Sequence, residues 1–576
     1  MELSQATEKR STTVEARQPP CQKACPAGTN IPKYIRLILE GDYYEAWKVN
    51  RAANVFASIC GRVCVHYCET DCKRKLIRPR DGETVDTRPV SIRGLKRFIT
   101  DNLPPDYQER FLKEVLPIKK NGKSVAIIGA GPAGLVVAND LLLSGCKVTV
   151  YEALSQPGGM LRVGIPAYRL PPEIILEEVD LLKKLGMKLK LNTALGKDVK
   201  LAELKKKFDV VLIALGAHRA KLMKVKGEDL EGVFPGVDFL RKLSLGEDVN
   251  VQGKTLAVIG GGFTAADAAR SAIRLGARSF ILYRRGREEM PMDEEEVEGL
   301  FEENVPVYYL QAPIEILSED GKKVAKLKCI KMELIEPEGG KGGRKVPVPI
   351  TNSEFELEAD IVIPAVAQAP DVSMLPDNFE INSEDFTSTE DGIFAAGDFH
   401  LGTTTNVIEV IGQAHKVSLA MLEYLGQEPE LYSLPQKEEK VRQSPWYGED
   451  PDRLGRKKKY GGWLSVSKTG FQEVEDSMTR EMAEYEGTRC LQCDYFVCID
   501  KEKCHRCGKC IASCPQDALV MVHTDPSPYQ EDAWFSDGRW QSDKTSEVVT
   551  KPELCIQCGN CVRACPHLNI TFDCNS

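Results

Sequence analysis

An α/β body between two cysteine-rich ends is the fold class the sequence predicts, and three observations carry it. Two strand–turn–helix units with glycine-rich turns occupy the middle of the 576 residues. Of the 20 cysteines, six fall between Cys21 and Cys72 and twelve between Cys490 and Cys574. The composition is that of an ordinary globular chain, 42% hydrophobic and 28% charged. At ~150 residues per domain, that length has room for about four domains. The net charge of -9 argues against a nucleic-acid partner. The first 20 residues are polar, with no apolar signal region. The most apolar long window, 126–146, is broken by Gly129, Gly131, Pro132, Gly134, Asn139 and Asp140, so no membrane span is expected. A cytoplasmic setting follows, where disulfides are rare, and the thiols are expected to be metal ligands.

The elements follow in chain order. Residues 1–20 are expected to be disordered. Residues 21–120 are expected to form a helical, cluster-binding domain, with six ligands: Cys21, Cys25, Cys60, Cys64, Cys68 and Cys72. Residues 123–128 (KSVAII) read as a buried strand. Gly129-Ala-Gly131-Pro-Ala-Gly134 follows, then an apolar helix over 135–143 and a strand over 147–151 that ends at Glu152. This is a dinucleotide fingerprint in its full context. Gly129 permits the tight turn, Gly131 lets the backbone approach a pyrophosphate, and Gly134 lets helix and strand pack closely. The helix N-terminus offers unpaired N–H groups to phosphate, and Glu152 can accept both ribose hydroxyls.

The unit recurs. A strand over 255–259 leads into Gly260-Gly-Gly262-Phe-Thr-Ala265, with Ala265 in the third glycine's place. A helix to Leu275 and a strand over 279–283 follow, and the strand ends in Arg284-Arg285 rather than an acid. Guanidinium groups pair with a 2′-phosphate that a carboxylate would repel, so this site is expected to prefer NADPH. A solvated basic turn is the plainer alternative. The contrast in ribose chemistry points to FAD at the first site and NADP(H) at the second. Gly392-Ile-Phe-Ala-Ala-Gly397-Asp398 adds a short strand ending where an acid can meet a flavin's ribityl chain or phosphate.

The C-terminal end carries Cys504-x2-Cys507-x2-Cys510-x3-Cys514-Pro and Cys555-x2-Cys558-x2-Cys561-x3-Cys565-Pro. This is the two-cluster bacterial ferredoxin spacing, in which each fourth Cys crosses to the other cluster. Cys504, Cys507, Cys510 and Cys565 are expected to hold one [4Fe–4S] cluster, and Cys555, Cys558, Cys561 and Cys514 the second. Zinc ribbons also use C-x2-C pairs, but two full copies with Pro weigh against zinc. The stretch between Cys514 and Cys555 is expected to be a surface loop, and the acidic stretch 288–303 an exposed helix face.

These residues resemble the glutamate synthase small-subunit family of NADPH-dependent flavoproteins. Its relatives include the flavin region of dihydropyrimidine dehydrogenase and the large subunit of NADH-dependent ferredoxin:NADP oxidoreductase. The resemblance rests on 125–152, on Pro157-Gly-Gly159-Met160-Leu-Arg-Val-Gly-Ile-Pro-Ala-Tyr-Arg-Leu-Pro171, on 260–291 and on 392–398. It implies two Rossmann-like domains, with the NADPH domain inserted in the FAD domain, and adds Gly159 and Met160 to the FAD-binding set. The expected domains are a first FAD segment at 121–245, NADP(H) at 246–360, a second FAD segment at 361–429, a linker at 430–485 and a ferredoxin-like α+β domain at 486–576.

The chain departs from that family at its N-terminus. Members carry an Arg-Cys-x2-Cys pair shortly before Cys-x3-Cys-Pro, and here only Cys21-x3-Cys25-Pro26 is present. Arg489-Cys490-Leu-Gln-Cys493, after an acidic helical run over 473–486, looks like the missing pair. The family's ligand sharing then implies that Cys21, Cys72, Cys490 and Cys493 hold one cluster and Cys25, Cys60, Cys64 and Cys68 the other. Cys498 is a substitute ligand. The alternative is that Cys490, Cys493 and Cys498 form their own site or none. Cys146 and Cys329 are expected to be ordinary packed residues.

The resemblance implies an NADPH-handling oxidoreductase subunit with FAD and about four [4Fe–4S] clusters. It would exchange electrons with ferredoxin or with partner flavin and iron–sulfur subunits in a hetero-oligomer. An electron-bifurcating transhydrogenase, a hydrogenase or formate dehydrogenase assembly, or a 2-oxoacid oxidoreductase would each fit. A glutamate synthase small subunit fits the appended ferredoxin domain less well. A non-catalytic electron wire is the reading from another class. No side-chain nucleophile stands out, so no catalytic residue is assigned.

Overall fold

The computed structural model describes residues 18–76, 88–337, 344–402, 404–428 and 470–490, and separate stretches between 493 and 572. Expectations for 1–17, for most of the linker and for Cys507, Cys558 and Cys574 lie outside these residues.

Continuous apolar runs make strands buried on both faces, which is how parallel sheets read in sequence. Ser124–Ile128 and Val210–Ile213 are such runs. They sit at the centre of a parallel sheet ordered Ile393–Ala395, Val210–Ile213, Ser124–Ile128, Lys147–Tyr151, Lys188–Lys190. A second parallel sheet runs Ile361–Pro364, Thr255–Ile259, Arg278–Tyr283, Val307–Tyr309. All of its strands lie in sequence between two strands of the first, so one Rossmann-like unit is inserted in the other. It takes in Ile361–Pro364, just past the expected edge at 360. The chain leaves and returns side by side, Arg219–Ala220 pairing antiparallel with Gln368–Ala369. An antiparallel sheet built on Lys326–Ile335 flanks the inserted unit.

The N-terminal region is helical, as expected. Helix Ile92–Asp101 lies on helix Ala57–Val63 at Gly61, where a Cβ would stand 2.8 Å from the Arg97 Cα. One hydrophobic cluster runs from Ile35 and Trp47 in the N-terminal helices to Ile127 and Val150 in the first sheet. The helical region and the first sheet therefore share a core.

Three expectations change. The acidic run 473–486 is helical only over Arg480–Thr488, with Thr479 capping it through the Met482 N–H. Residues 473–475 are not helical: their carboxylates are drawn to N-terminal arginines and the Val474 N–H donates to the Tyr168 carbonyl. Part of the stretch expected as a surface loop after Cys514 is strand, with Leu519–His523 antiparallel to Ser546–Thr550. Its apolar residues explain the pairing: Leu519 and Val548 are buried. The acidic helix Glu294–Glu302 is not simply exposed. Glu296 is bound by Arg169 at 2.5 Å, and Glu303 by Arg274 at 2.6 Å and Arg270 at 2.7 Å, which makes buried carboxylates tolerable. No helix among the described residues is long and apolar enough to cross a membrane.

Candidate functional site

At the first glycine turn, Gly129 adopts φ 108, and a Cβ there would stand 2.2 Å from the Ala214 carbonyl oxygen. A Cβ on Gly134 would meet the Gly129 carbonyl oxygen at 2.2 Å. Gly131 caps helix Pro132–Leu143 without a side chain, so the first N–H groups stay open to an anion. Gly159 covers the turn, its Cβ position only 2.8 Å from the Gly131 Cα, and Met160 follows in the same loop. Glu152 is buried, and its carboxylate accepts from the Ala130 N–H at 2.8 Å and the Leu154 N–H at 2.9 Å. Burial pushes its carboxyl above the usual range, against the pull of these backbone hydrogen bonds. A carboxylate has about four acceptor sites, so two accepted bonds leave room for ribose hydroxyls.

Asp398 opens a short helix on the opposite side, after Gly397, whose N–H donates to the Gln413 side chain at 2.7 Å. Asp398 accepts from the Thr405 N–H at 3.0 Å, and burial lifts its pKa to about 6. The cradle that a Cβ would fill, the open helix end and the buried Glu152 and half-buried Asp398 carboxylates fit a dinucleotide such as FAD.

The second turn repeats the geometry. Gly260, at φ 151, would place a Cβ 2.3 Å from the Ala365 carbonyl oxygen, and Gly262 caps helix Phe263–Arg274. Ala265 occupies the third place, fully buried. Arg284 is exposed at the cleft wall, whereas the Arg285 Nε donates to the Lys345 carbonyl at 3.1 Å. Arg344, which no motif marked, lines the same cleft and donates to the Tyr283 hydroxyl at 2.6 Å. It arrives from a distant loop, so spacing could not reveal it.

Both sites open into one cleft of about 1140 Å³, lined by Met160, Gly260, Arg284 and Asp398 among others. Val63, Val65 and Tyr67 of the helical region form part of its wall. The Tyr67 hydroxyl donates to Glu409 at 2.7 Å, which fixes the Cys64–Cys68 segment against helix Val407–Tyr424.

The thiols gather into neighbouring groups. The Cys60 thiol donates to Cys64, raising Cys60 and lowering Cys64. Cys68 is raised by burial first, with Cys64 and Cys25 among its charged neighbours. The His66 N–H points at the Cys64 sulfur from 3.4 Å. Cys21 is raised by burial and then by Cys490, Cys493, Cys68 and Cys72. The two chain ends thus meet. Among the described residues no three such groups stand close enough to hold a single metal ion; the thiols are neighbours at the longer range over which charges interact. Buried free thiols with backbone N–H groups aimed at sulfur form a donor set that suits iron–sulfur ligation.

Ion pairs hold the returning segment in place. Glu473 binds Arg62 at 2.8 Å and Arg97 at 3.0 Å, and Glu475 binds Arg93 at 2.9 Å. Glu486 accepts from the Ser91 N–H at 2.7 Å and pairs with Arg489. Arg74 donates to the Arg489 carbonyl at 2.9 Å. The arginines are buried and Glu473 and Glu475 half-buried, so these pairs fix how the segment sits on the N-terminal helices.

Farther along, Cys504, Cys510, Cys514, Cys555, Cys561 and Cys565 pack around Leu519 and Val548. The Ala518 N–H lies 3.2 Å from the Cys514 sulfur. Cys146 and Cys329 are buried and separate, as expected of packed residues. Cys498 lies in strand Val497–Ile499.

Residues 123–418 match the pyridine nucleotide-disulphide oxidoreductase family, 1–106 the 4Fe-4S cluster domain II of dihydropyrimidine dehydrogenase, and 503–569 a 4Fe-4S dicluster domain. The NADP(+)-dependent formate dehydrogenase subunit beta of Moorella thermoacetica is 39% identical over 516 residues, 82% of this chain and 70% of that protein. The NADPH-Fe(3+) oxidoreductase subunit beta of Geobacter sulfurreducens is 37% identical over 526 residues, 82% and 75% of the two chains. The glutamate synthase [NADPH] small chain of Azospirillum brasilense is 33% identical over 426 residues, 69% and 85%. Among solved structures, Mycobacterium tuberculosis FprA in complex with NADPH matches with a TM-score of 0.46 at 20% identity, over 53% of this chain and 85% of that one.

Proposed function

We propose a function from one premise: the chain belongs to the pyridine nucleotide-disulphide oxidoreductase family. It is an NAD(P)H-dependent oxidoreductase whose cofactors are FAD, NADP(H) and [4Fe–4S] clusters. Beyond that, we read it as the subunit that exchanges electrons between NADP(H) and a partner redox subunit or ferredoxin. The two relatives named as beta subunits, one of a formate dehydrogenase and one of an Fe(3+) oxidoreductase, favour a hetero-oligomeric setting of that kind.

When bound, the flavin exchanges a hydride with the nicotinamide and passes electrons singly to the clusters. The residues that would serve this are assigned as follows. The Gly129, Gly131 and Gly134 turn takes the FAD pyrophosphate, Glu152 its ribose, and Gly159, Met160, Gly397 and Asp398 the rest of the cofactor. The Gly260, Gly262 and Ala265 turn takes the NADP(H) pyrophosphate, and Arg284 and Arg285 its 2′-phosphate. Cys25, Cys60, Cys64 and Cys68 hold the cluster beside the cleft. Cys21, Cys72, Cys490 and Cys493 hold the second. Cys504, Cys507, Cys510 and Cys565, with Cys555, Cys558, Cys561 and Cys514, hold the ferredoxin pair. Val65 and Tyr67 line the cleft beside the Cys64–Cys68 segment, which would give electrons a short route from flavin to thiols.

One observation carries this reading: Cys490 and Cys493 lie among the groups acting on Cys21. The returning segment supplies what the N-terminus lacks and leads directly into the ferredoxin thiols. The test is the double variant C490S/C493S, purified without oxygen. Iron should fall by about four atoms per chain from about 16, with the ferredoxin signals kept. Unchanged iron, or loss of the ferredoxin signals instead, would overturn the ligand assignment. Absence of NADPH-dependent viologen reduction by the intact protein would overturn the electron-transfer role.

A further inference from the structure

Helix Ile92–Asp101 turns Arg93, Lys96 and Arg97 toward one side, as its spacing of three and four residues dictates. All three are buried. Arg93 is matched by Glu475 and Glu295, and Arg97 by Asp101 and Glu473. Lys96, only 4% exposed, has no carboxylate partner among the described residues. A buried ammonium without a counter-charge costs several kcal/mol, so something must balance it. Burial opposes its charge, and the thiol groups that favour it are, in falling order, those of Cys64, Cys60, Cys25 and Cys68. Gly61 makes this approach feasible, because any larger residue would hold helix Ile92–Asp101 away from the helix that carries Cys60.

We propose that Lys96 is the positioning residue that sets the potential of the cluster held by Cys25, Cys60, Cys64 and Cys68, its ammonium acting as the buried counter-charge. This rests on the ligand reading above. A cluster with four thiolates is anionic and gains one further negative charge on one-electron reduction; no bond forms or breaks. A fixed cation in a medium of low dielectric favours the more negative state, and net charge and hydrogen bonding are among the levers on such potentials. Removing that charge would leave the cluster at the cleft wall harder to reduce.

The test is an EPR-monitored redox titration of the holoprotein with Lys96→Met and Lys96→Arg. Iron content should stay at the wild-type value in both. K96M should shift one midpoint downward by a factor of at least ten in the reduced-to-oxidised ratio, about 59 mV for a one-electron couple, and K96R should hold it near wild type. An unshifted midpoint in K96M, or equal shifts in both variants, overturns the proposal. Should K96M fail to load iron, K96Q, uncharged but polar, takes its place with the same two outcomes. C60S identifies the signal: if C60S leaves every EPR signal in place, the ligand reading fails, whereas an intact assignment with an unmoved midpoint fails Lys96 alone.

Discussion

The two nucleotide turns are built on one plan and finished differently. Both begin with a glycine in the left-handed region pressed against a carbonyl, Gly129 on Ala214 and Gly260 on Ala365. Both lead into a helix whose N-terminus has no side-chain cap. They part at the third position and at the strand end. Gly134 has no room for a Cβ, whereas Ala265 carries one in a fully buried place. Glu152 is buried and already engaged by two backbone N–H groups, whereas Arg284 stands exposed at the rim of the cleft. A tight, preorganised turn covered by Gly159 suits a cofactor that stays. A turn whose strand ends in an exposed cation suits one that comes and goes. The difference teaches that residence is encoded in burial, and the shared motif encodes only the phosphate.

The strongest way to break this comparison is to spoil each turn separately. Gly129→Ala adds a Cβ where an atom lies at 2.2 Å and forces a left-handed φ that costs about 1–2 kcal/mol before any clash is counted. The expected outcome is a loss of flavin by about tenfold or more, read as the ratio of heat-released flavin to protein. Gly260→Ala meets the same obstacle at 2.3 Å, yet should keep its flavin and lose NADPH-dependent reduction. If G260A sheds flavin as readily as G129A, the two turns do not serve separate ligands.

The second prediction concerns the rim. A hydrogen bond to a charged group contributes about 1.5–3 kcal/mol, so Arg284→Ala should raise the KM for NADPH by roughly 10- to 100-fold. The KM for NADH should barely move, since it has no 2′-phosphate. Steady-state assays with a viologen acceptor measure both. An equal rise for the two nucleotides would mean that Arg284 holds the shared part of the molecule.

Much of this was legible in the sequence because it depends on local chemistry. The strand over 255–259, the glycine turns and the thiol spacings are short-range patterns, and the structure has strands at Ser124–Ile128 and Thr255–Ile259 as expected. The meeting of Cys490 and Cys493 with Cys21 was legible only because the N-terminal thiol count fell short of eight. What stayed hidden was long-range. Nothing near Lys96 in sequence says that it lies among four thiols. Nothing near Glu473 announces that Arg62 and Arg97 will bind it. Glu296 and Glu303 looked like a solvated face because their partners, Arg169, Arg270 and Arg274, come from other elements. Arg344 was missed for the same reason.

The smallest effect separates the two halves by pH. In the flavin half, His415 bridges helix Pro132–Leu143 and the N-terminal helices, its Nδ1 lying 2.8 Å from Asp140 and its Nε2 2.9 Å from the Ala53 carbonyl. Burial opposes the imidazolium, but the Asp140 carboxylate and these hydrogen bonds outweigh it and raise the pKa. In the inserted half, burial likewise opposes the Glu303 charge, and hydrogen bonds from Arg274 and Arg270 hold it below the usual carboxylate range. The signs differ. A raised histidine contributes stability that is complete below its unfolded value of about 6.5 and lost as pH rises through the folded one. A lowered carboxylate contributes stability that is lost only as pH falls through its folded, acidic value, and its arginine partners stay charged throughout. As pH rises from 6 to 9 the Asp140–His415 bridge should therefore weaken while the Glu303 pairs hold. The loss should be about 1 kcal/mol, or roughly 2–4 °C for a unit of this size. Calorimetry should show the transition that releases flavin falling with pH more steeply in the wild type than in His415→Gln. A parallel fall in both proteins would mean that another group, rather than the Asp140–His415 bridge, sets the pH dependence of the flavin half.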